Sequence, residues 1–303
     1  MIEKDITIIE DNIKGAVYTD EPLSNHTTYK VGGKAECLVC PDSSEGAEWV
    51  YSYARKRSIP ISILGGGSNV IAPDQGIKGI VLKLKNSDAR IEFPGESNII
   101  ADAGVTLIDL AKAAAAKGLM GFEPIAGIPG TVGGAVFMNA GTKHGDTASL
   151  LEKVEVITGS GRRREFFRDE LAFGYRQSAV QKTGWLILRA HFRLEKGDPE
   201  LITECIKRTY RERQRKFPLD LPNAGSVFKR PPGDYAGRLI EEAGCKGIKV
   251  GGASVSERHA NFIINSDHAT AEDITGLIAE IRRIVYDKYG IYLELEQELF
   301  GSV

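Results

Sequence analysis

Apolar positions in the first two-thirds of the chain come in short bursts separated by amphipathic stretches. Runs at 35–39, 59–64, 80–84 and 99–103 predict strands, and the repeats at 43–57 and 106–117 predict helices. That alternation signals a mixed α/β (α+β) fold. Thr106 and Asp109 stand at capping-box spacing, and Gly118 supplies the stop. Farther along, 154–158, 164–167 and 185–194 predict strands, with GRRRE as an exposed turn whose three arginines face water. EKGDP, near 195–199, breaks the strand pattern before a long polar helix that runs to about Lys216, so a domain boundary is expected between 196 and 197. The last third predicts helices at 235–243 and 270–289. The second starts on Thr270 and Asp273, ends before Gly290, and buries Ile274, Leu277, Ile278, Ile281 and Val285. A closing strand at 291–300 would place Ile291, Leu293, Leu295 and Leu299 on one face and Glu294, Glu296 and Glu298 on the other.

A chain of 303 residues, 42% of them hydrophobic, can bury more than one core, so two or three compact subdomains are expected. The formal net charge of -2 argues against a surface built to neutralise phosphate backbones, and nucleic acid is not an expected partner. MIEKDITIIEDNIKGAVYTD has no apolar core of signal-peptide length, and no later segment reaches the roughly 18 apolar residues a span needs. A cytoplasmic protein with no membrane insertion is expected. Cys37 and Cys40 lie on one alternating strand and point to opposite faces. Cys205 and Cys245 make no second close pair, so reduced structural thiols and no metal site are expected.

Chemistry is suggested first by glycine. ISIL runs straight into Gly65, Gly66, Gly67, Ser68 and Asn69, where backbone N–H groups can turn inward around a diphosphate. Val70 stands where G-x-G-x-x-G needs its third glycine, and no P-loop is present. Alone, GGGSN reads more readily as a tight turn. Residues 126–145, AGIPGTVGGAVFMNAGTKHG, are too apolar for a linker and too glycine-rich for a helix or regular strand, which suits backbone pressed against a flat ligand. Polar candidates follow: Tyr175 and Arg176 in FGYRQS, Ser226 in LPNAGSVFKRP, and the closing glutamates. Taken singly, each is explained by surface or turn chemistry.

GGGSN followed by GIPGTVGGA resembles the FAD-binding domain of the vanillyl-alcohol-oxidase superfamily, in which two α/β subdomains clasp the flavin. Many members carry a flavin-linked His in the first loop. Ser68 and Asn69 stand here instead, so the resemblance implies non-covalent FAD held by Gly65, Gly66, Gly67, Ser68, Asn69, Pro129, Gly130, Thr131, Gly133 and Gly134. Residues 1–196 would be the FAD-binding domain, its two subdomains split near 85–95, and 197–303 the substrate-binding domain.

In order, SNHTTYKVGG, GGGSN, GIPGTVGGAVFMNAG, FGYRQS, AGSVFKRP, GGASVSERHANFIIN and LELEQELFG resemble the UDP-N-acetylenolpyruvoylglucosamine reductase family over nearly the whole chain. The short spacing from Arg176 to Ser226 resembles its shorter subclass. The resemblance implies NADPH-driven reduction of the enolpyruvyl ether of a UDP-sugar to UDP-N-acetylmuramate in peptidoglycan synthesis, and so a part in cell-wall biogenesis, cell shape and division. It makes Arg176, Ser226 and Glu296 catalytic. Hydride would pass from flavin N5 to the enolpyruvyl C3, and a proton from Ser226 to C2. A guanidinium suits the developing carboxylate charge, and a serine hydroxyl suits a strongly basic carbanion. Glu296 would either orient Arg176 or, if protonated, donate to the enolate. Tyr175, Lys229 and Arg230 are candidate substrate contacts, the two basic residues for the diphosphate. His259 is expected to be structural.

Overall fold

The computed structural model of the chain describes residues 3–84 and 89–301. They form two compact units: unit 1 comprises the described residues within 3–20, 36–66 and 78–211, and unit 2 those within 21–35, 67–77 and 212–301. The division is therefore more interleaved than a single cut after 196, since two early stretches pack with the C-terminal segment. The subdomain split expected near 85–95 falls in part on 85–88, outside the described residues.

Unit 1 carries two sheets. One has the order Gly15–Pro22, Lys34–Pro41, Ile77–Lys83, Ile61–Leu64, and its last two strands run parallel with Ile61 opposite Ile80. Helices α1 (Glu3–Asn12) and α2 (Ser44–Lys56) accompany it. Ser43 starts α2 by accepting from the N–H of Gly46, and Ala47, Val50, Tyr51 and Ala54 point into the core beside Cys37, Val39 and Ile80. The other sheet is antiparallel, in the order Arg163–Phe167, Leu151–Ile157, Leu186–Arg193, Asn98–Asp102, Ile91–Glu92. It is joined by α3 (Leu107–Ala116), which Thr106 caps by accepting from the N–H of Asp109. Burial of Cys37 pushes its thiol up to about 11, as befits a packing residue.

Three expectations meet a different local structure. Residues 126–145 were expected to hold neither helix nor strand, yet Val132–Met138 forms helix α4. Two forces outweigh its glycines: Thr131 caps it, and Val132 and Val136 are fully buried. Gly133 packs closely there: its N–H donates to Ala103 O at 2.9 Å, and an added Cβ would stand a tight 3.0 Å from Ala103 Cβ. The GRRRE arginines are all exposed, as expected, although 163–165 belong to a strand and Arg163 also pairs with Glu155 at 2.5 Å across the sheet. The third concerns the closing segment of unit 2.

Unit 2 packs α6 (Ala236–Glu242) and α7 (Ala271–Tyr289) with the antiparallel strands Lys249–Val250, Ala253–Val255 and Ile263–Asn265. The stripe expected on α7 is buried, against Leu239, Ile240, Val255 and Leu293 among others. The long polar helix α5 (Pro199–Lys216) precedes them. Asp74 accepts from the N–H groups of Ala271 and Glu272 at 2.8 and 2.9 Å, so the 67–77 stretch caps α7. Residues 291–300 do not form one regular strand. The N–H of Glu296 donates to Val227 O and that of Lys229 to Glu294 O, after which the chain turns and Glu298–Leu299 pairs in parallel with Val70–Ile71. Changing partners breaks the alternation, leaving Gln297 buried and Leu299 exposed. No described helix is long and apolar enough to cross a membrane.

Candidate active site

The first glycine loop is shared between the units, with Gly65 and Gly66 in unit 1 and 67–69 in unit 2. Within unit 1 the two glycine segments meet. A Cβ on Gly65 would sit 2.7 Å from Thr131 Oγ1, and one on Gly66 would sit 3.1 Å from Gly130 Cα. The two glycine segments therefore pack directly on each other, with Pro129 and Gly134 exposed beside them. Exposed Gly134 has room where a Cβ would stand, so the backbone there is open to a flat dinucleotide, which needs peptide planes with no side chain in the way. Gly133, by contrast, is buried and serves the packing of α4. In unit 2, Gly67 has φ +67° and its carbonyl accepts from the N–H of Thr28, while Asn69 Nδ2 donates to Glu296 O at 3.2 Å.

Arg176, in unit 1, sits half-buried in a tight turn closed by reciprocal hydrogen bonds between Gly174 and Gln177. Its φ is +55°, a left-handed conformation that costs a non-glycine residue about 1–2 kcal/mol. Its Nη2 donates to Gly141 O at 2.8 Å, and its guanidinium lies 5.0 Å from the exposed ring of Tyr175. Sequence reasoning missed the side chains that surround this turn. Asn139 and Gln181 donate to Gly174 O and Arg176 O, and Ser178 donates to Phe137 O at 2.7 Å. An amide in a glycine-rich stretch gives no periodic signal, so nothing in the pattern marks Asn139.

Unit 2 brings Ser226 and Glu296 together. Phe228 bridges Leu295, so Val227 lies across from Glu296 with Ser226 beside it. The backbone around Ser226 is fixed by two buried amides. Gln297 Nε2 donates to Ala224 O at 3.1 Å while its Oε1 accepts from the hydroxyl of buried Tyr29. Asn261 accepts from Phe228 N–H and donates to Phe228 O, which gives a structural role to one polar residue of GGASVSERHAN. The half-buried Ser226 hydroxyl makes no hydrogen bond to the described residues. Lys229 Nζ pairs with Glu294 at 2.6 Å, and the exposed Arg230 lies 4.6 Å from the ring of Tyr235. His259 packs between Phe217 and Phe262 and accepts from the N–H of Asn261. Burial, reinforced by Lys216 and Lys246, pushes its imidazole down to about 4. No cluster of His, Cys, Asp and Glu that could hold a metal ion occurs among the described residues.

Two family profiles match the chain: an FAD binding domain over residues 35–166, and the UDP-N-acetylenolpyruvoylglucosamine reductase C-terminal domain over 217–300. A UDP-N-acetylenolpyruvoylglucosamine reductase of Caldanaerobacter subterraneus subsp. tengcongensis is 42% identical over 97% of this chain and 99% of its own length. One of Moorella thermoacetica is 44% identical over 97% and 96%. The chain belongs to the UDP-N-acetylenolpyruvoylglucosamine reductase family. Its fold agrees, for the crystal structure of the Thermus caldophilus reductase superposes with a TM-score of 0.79 at 36% identity, covering 95% of this chain and 99% of that one. Membership of this reductase family makes the protein an FAD-dependent oxidoreductase, and the close packing of the two glycine segments accords with it.

Proposed function

We propose that this protein catalyses the FAD-dependent, NADPH-driven reduction of UDP-N-acetyl-3-O-(1-carboxyvinyl)-glucosamine to UDP-N-acetylmuramate, a cytoplasmic step of peptidoglycan precursor synthesis. The observation that carries this reading is that family similarity spans both the flavin-binding part and the C-terminal part of the chain. Gly65, Gly66, Gly130, Thr131 and Gly134 would hold FAD, with Gly67, Ser68, Asn69, Pro129 and Gly133 shaping the same two loops. Bound there, FAD would supply the hydride chemistry that links NADPH, through flavin N5, to the terminal carbon, C3, of the enolpyruvyl group.

Addition at C3 throws charge onto C2 and its carboxylate. Arg176 meets that charge, because a guanidinium stays protonated and offers parallel donors. Ser226 Oγ gives its proton to C2; serine is a weak acid, but a carbanion held in contact is basic enough to take it. Glu296, across from Val227, contributes a carboxyl to the same step. Tyr175, Lys229 and Arg230 contact the sugar nucleotide. Glu296→Gln separates two ways of working: an amide that can still donate should keep activity within about tenfold if a protonated carboxyl acts as donor, and lose about 10² or more if its charge is needed.

The test of the whole reading is to purify the protein, record bound-flavin absorbance, and follow NADPH oxidation with and without the enolpyruvyl UDP-sugar. Yellow protein with NADPH consumption strictly dependent on the sugar supports it. A colourless protein that takes up no FAD, or consumption indifferent to the sugar, overturns it.

A further inference from the structure

Arg176 holds an unfavourable backbone conformation, and such conformations persist only where the surroundings over-determine them. Four ties do so. Gly174 and Gln177 close the turn reciprocally, Gln181 Nε2 donates to Arg176 O at 3.2 Å, Arg176 Nη2 donates to Gly141 O, and Asn139 Nδ2 donates to Gly174 O at 3.0 Å. The last two ties come from one corner of chain. Residues 139 and 141 thus grip the arginine at both ends, one through its turn and the other through its guanidinium.

Asn139 ends α4 with φ +44°, a place where asparagine is common for its backbone alone. A cap of that kind leaves its side chain idle. Here the side chain is 3% exposed and fully engaged: Nδ2 donates to Gly174 O and to Asp146 Oδ2, and Oδ1 accepts from the N–H of Ala148. The amide ties the 146–148 segment and the arginine turn to the end of the helix.

We infer that Asn139 is a positioning residue for Arg176, its buried amide holding the 174–177 turn so that the guanidinium keeps one place. The inference rests on the role proposed above for Arg176. A misplacement of about 1 Å can cost on the order of 10²-fold in rate, so loss of the tie should be visible in turnover.

Asn139→Gly is the informative variant, since glycine keeps the left-handed helix end and removes the side chain that makes the tie, and the double variant below separates that tie from those to 146 and 148. The expected result is a folded, flavin-loaded enzyme whose kcat for the enolpyruvyl sugar falls by about 10-fold or more. Combined with Arg176→Ala, it should add less than about threefold, because the group it positions is already gone. A plain helix cap predicts that glycine serves as well as asparagine, so full kcat in Asn139→Gly overturns the inference. A loss that multiplies undiminished with that of Arg176→Ala overturns it too. Should Asn139→Gly fail to fold, Gln181→Met removes another tie on the same turn at similar volume, and the same non-additivity with Arg176→Ala is required. Failure of the Arg176 reading would look different, since Arg176→Ala alone would then turn over normally.

Discussion

At the scale of single residues, the unusual feature is how much of the polar inventory is spent holding other polar groups. Ser226 stands with an uncommitted hydroxyl in a loop pinned by the amides of Gln297 and Asn261. Ser226→Ala should leave flavin reduction by NADPH nearly intact and slow product formation by roughly 10² or more, as stopped-flow absorbance of the two half-reactions would record. His259 offers a thermodynamic test. Its imidazole titrates at about 4 when folded and near 6.5 when exposed, so between those values the unfolded chain binds a proton the native one does not. Its contribution is therefore whole above about 6.5 and lost as pH falls toward about 4, at most about 3 kcal/mol. Urea melts across that range should show the decline, and His259→Leu should flatten it. Candidate residues could be named from sequence because each lies in a motif. Their supporting amides could not, because Asn139, Asn261 and Gln297 act through contacts with residues distant in the chain or set by a local bend, and no spacing rule reports those.

Among elements, those with strong punctuation were legible. Helix α7 was foreseen from Thr270, Asp273 and Gly290, and each does its expected work: Thr270 Oγ1 accepts from the N–H of Asp273, Asp273 accepts from that of Thr270, and Gly290 takes φ +67°. Thr270→Ala should lower stability by about 1 kcal/mol in a denaturant titration while leaving the α7 stripe packed. Less legible were elements whose tertiary contacts outweigh local preference. Helix α4 carries two glycines in its first turn and exists because it is capped and pressed against Ala103. The closing segment read as one strand by its alternating leucines and glutamates, but it serves two partners in turn, and a ladder that changes partner need not keep one buried face.

For the whole molecule, fold class and family were legible because motifs survive as ordered strings along the chain. The interleaving of the two units was not, since Tyr29, Val31 and Ile71 look like ordinary members of an N-terminal domain yet lie in the core cluster of α7. Binding linkage supplies a test at this scale. FAD that binds only the native state should raise the melting temperature, by the equivalent of about 2.7 kcal/mol at a free concentration 100 times Kd, and differential scanning fluorimetry with and without added FAD would measure it. The interleaving also governs how the protein can be made. Residues 21–35 and 67–77 are made well before the segment 212–301 with which they pack. A chain cut after residue 211 would therefore leave Tyr29, Val31 and Ile71 without the core they fill, so the first unit does not separate as a clean stretch of sequence.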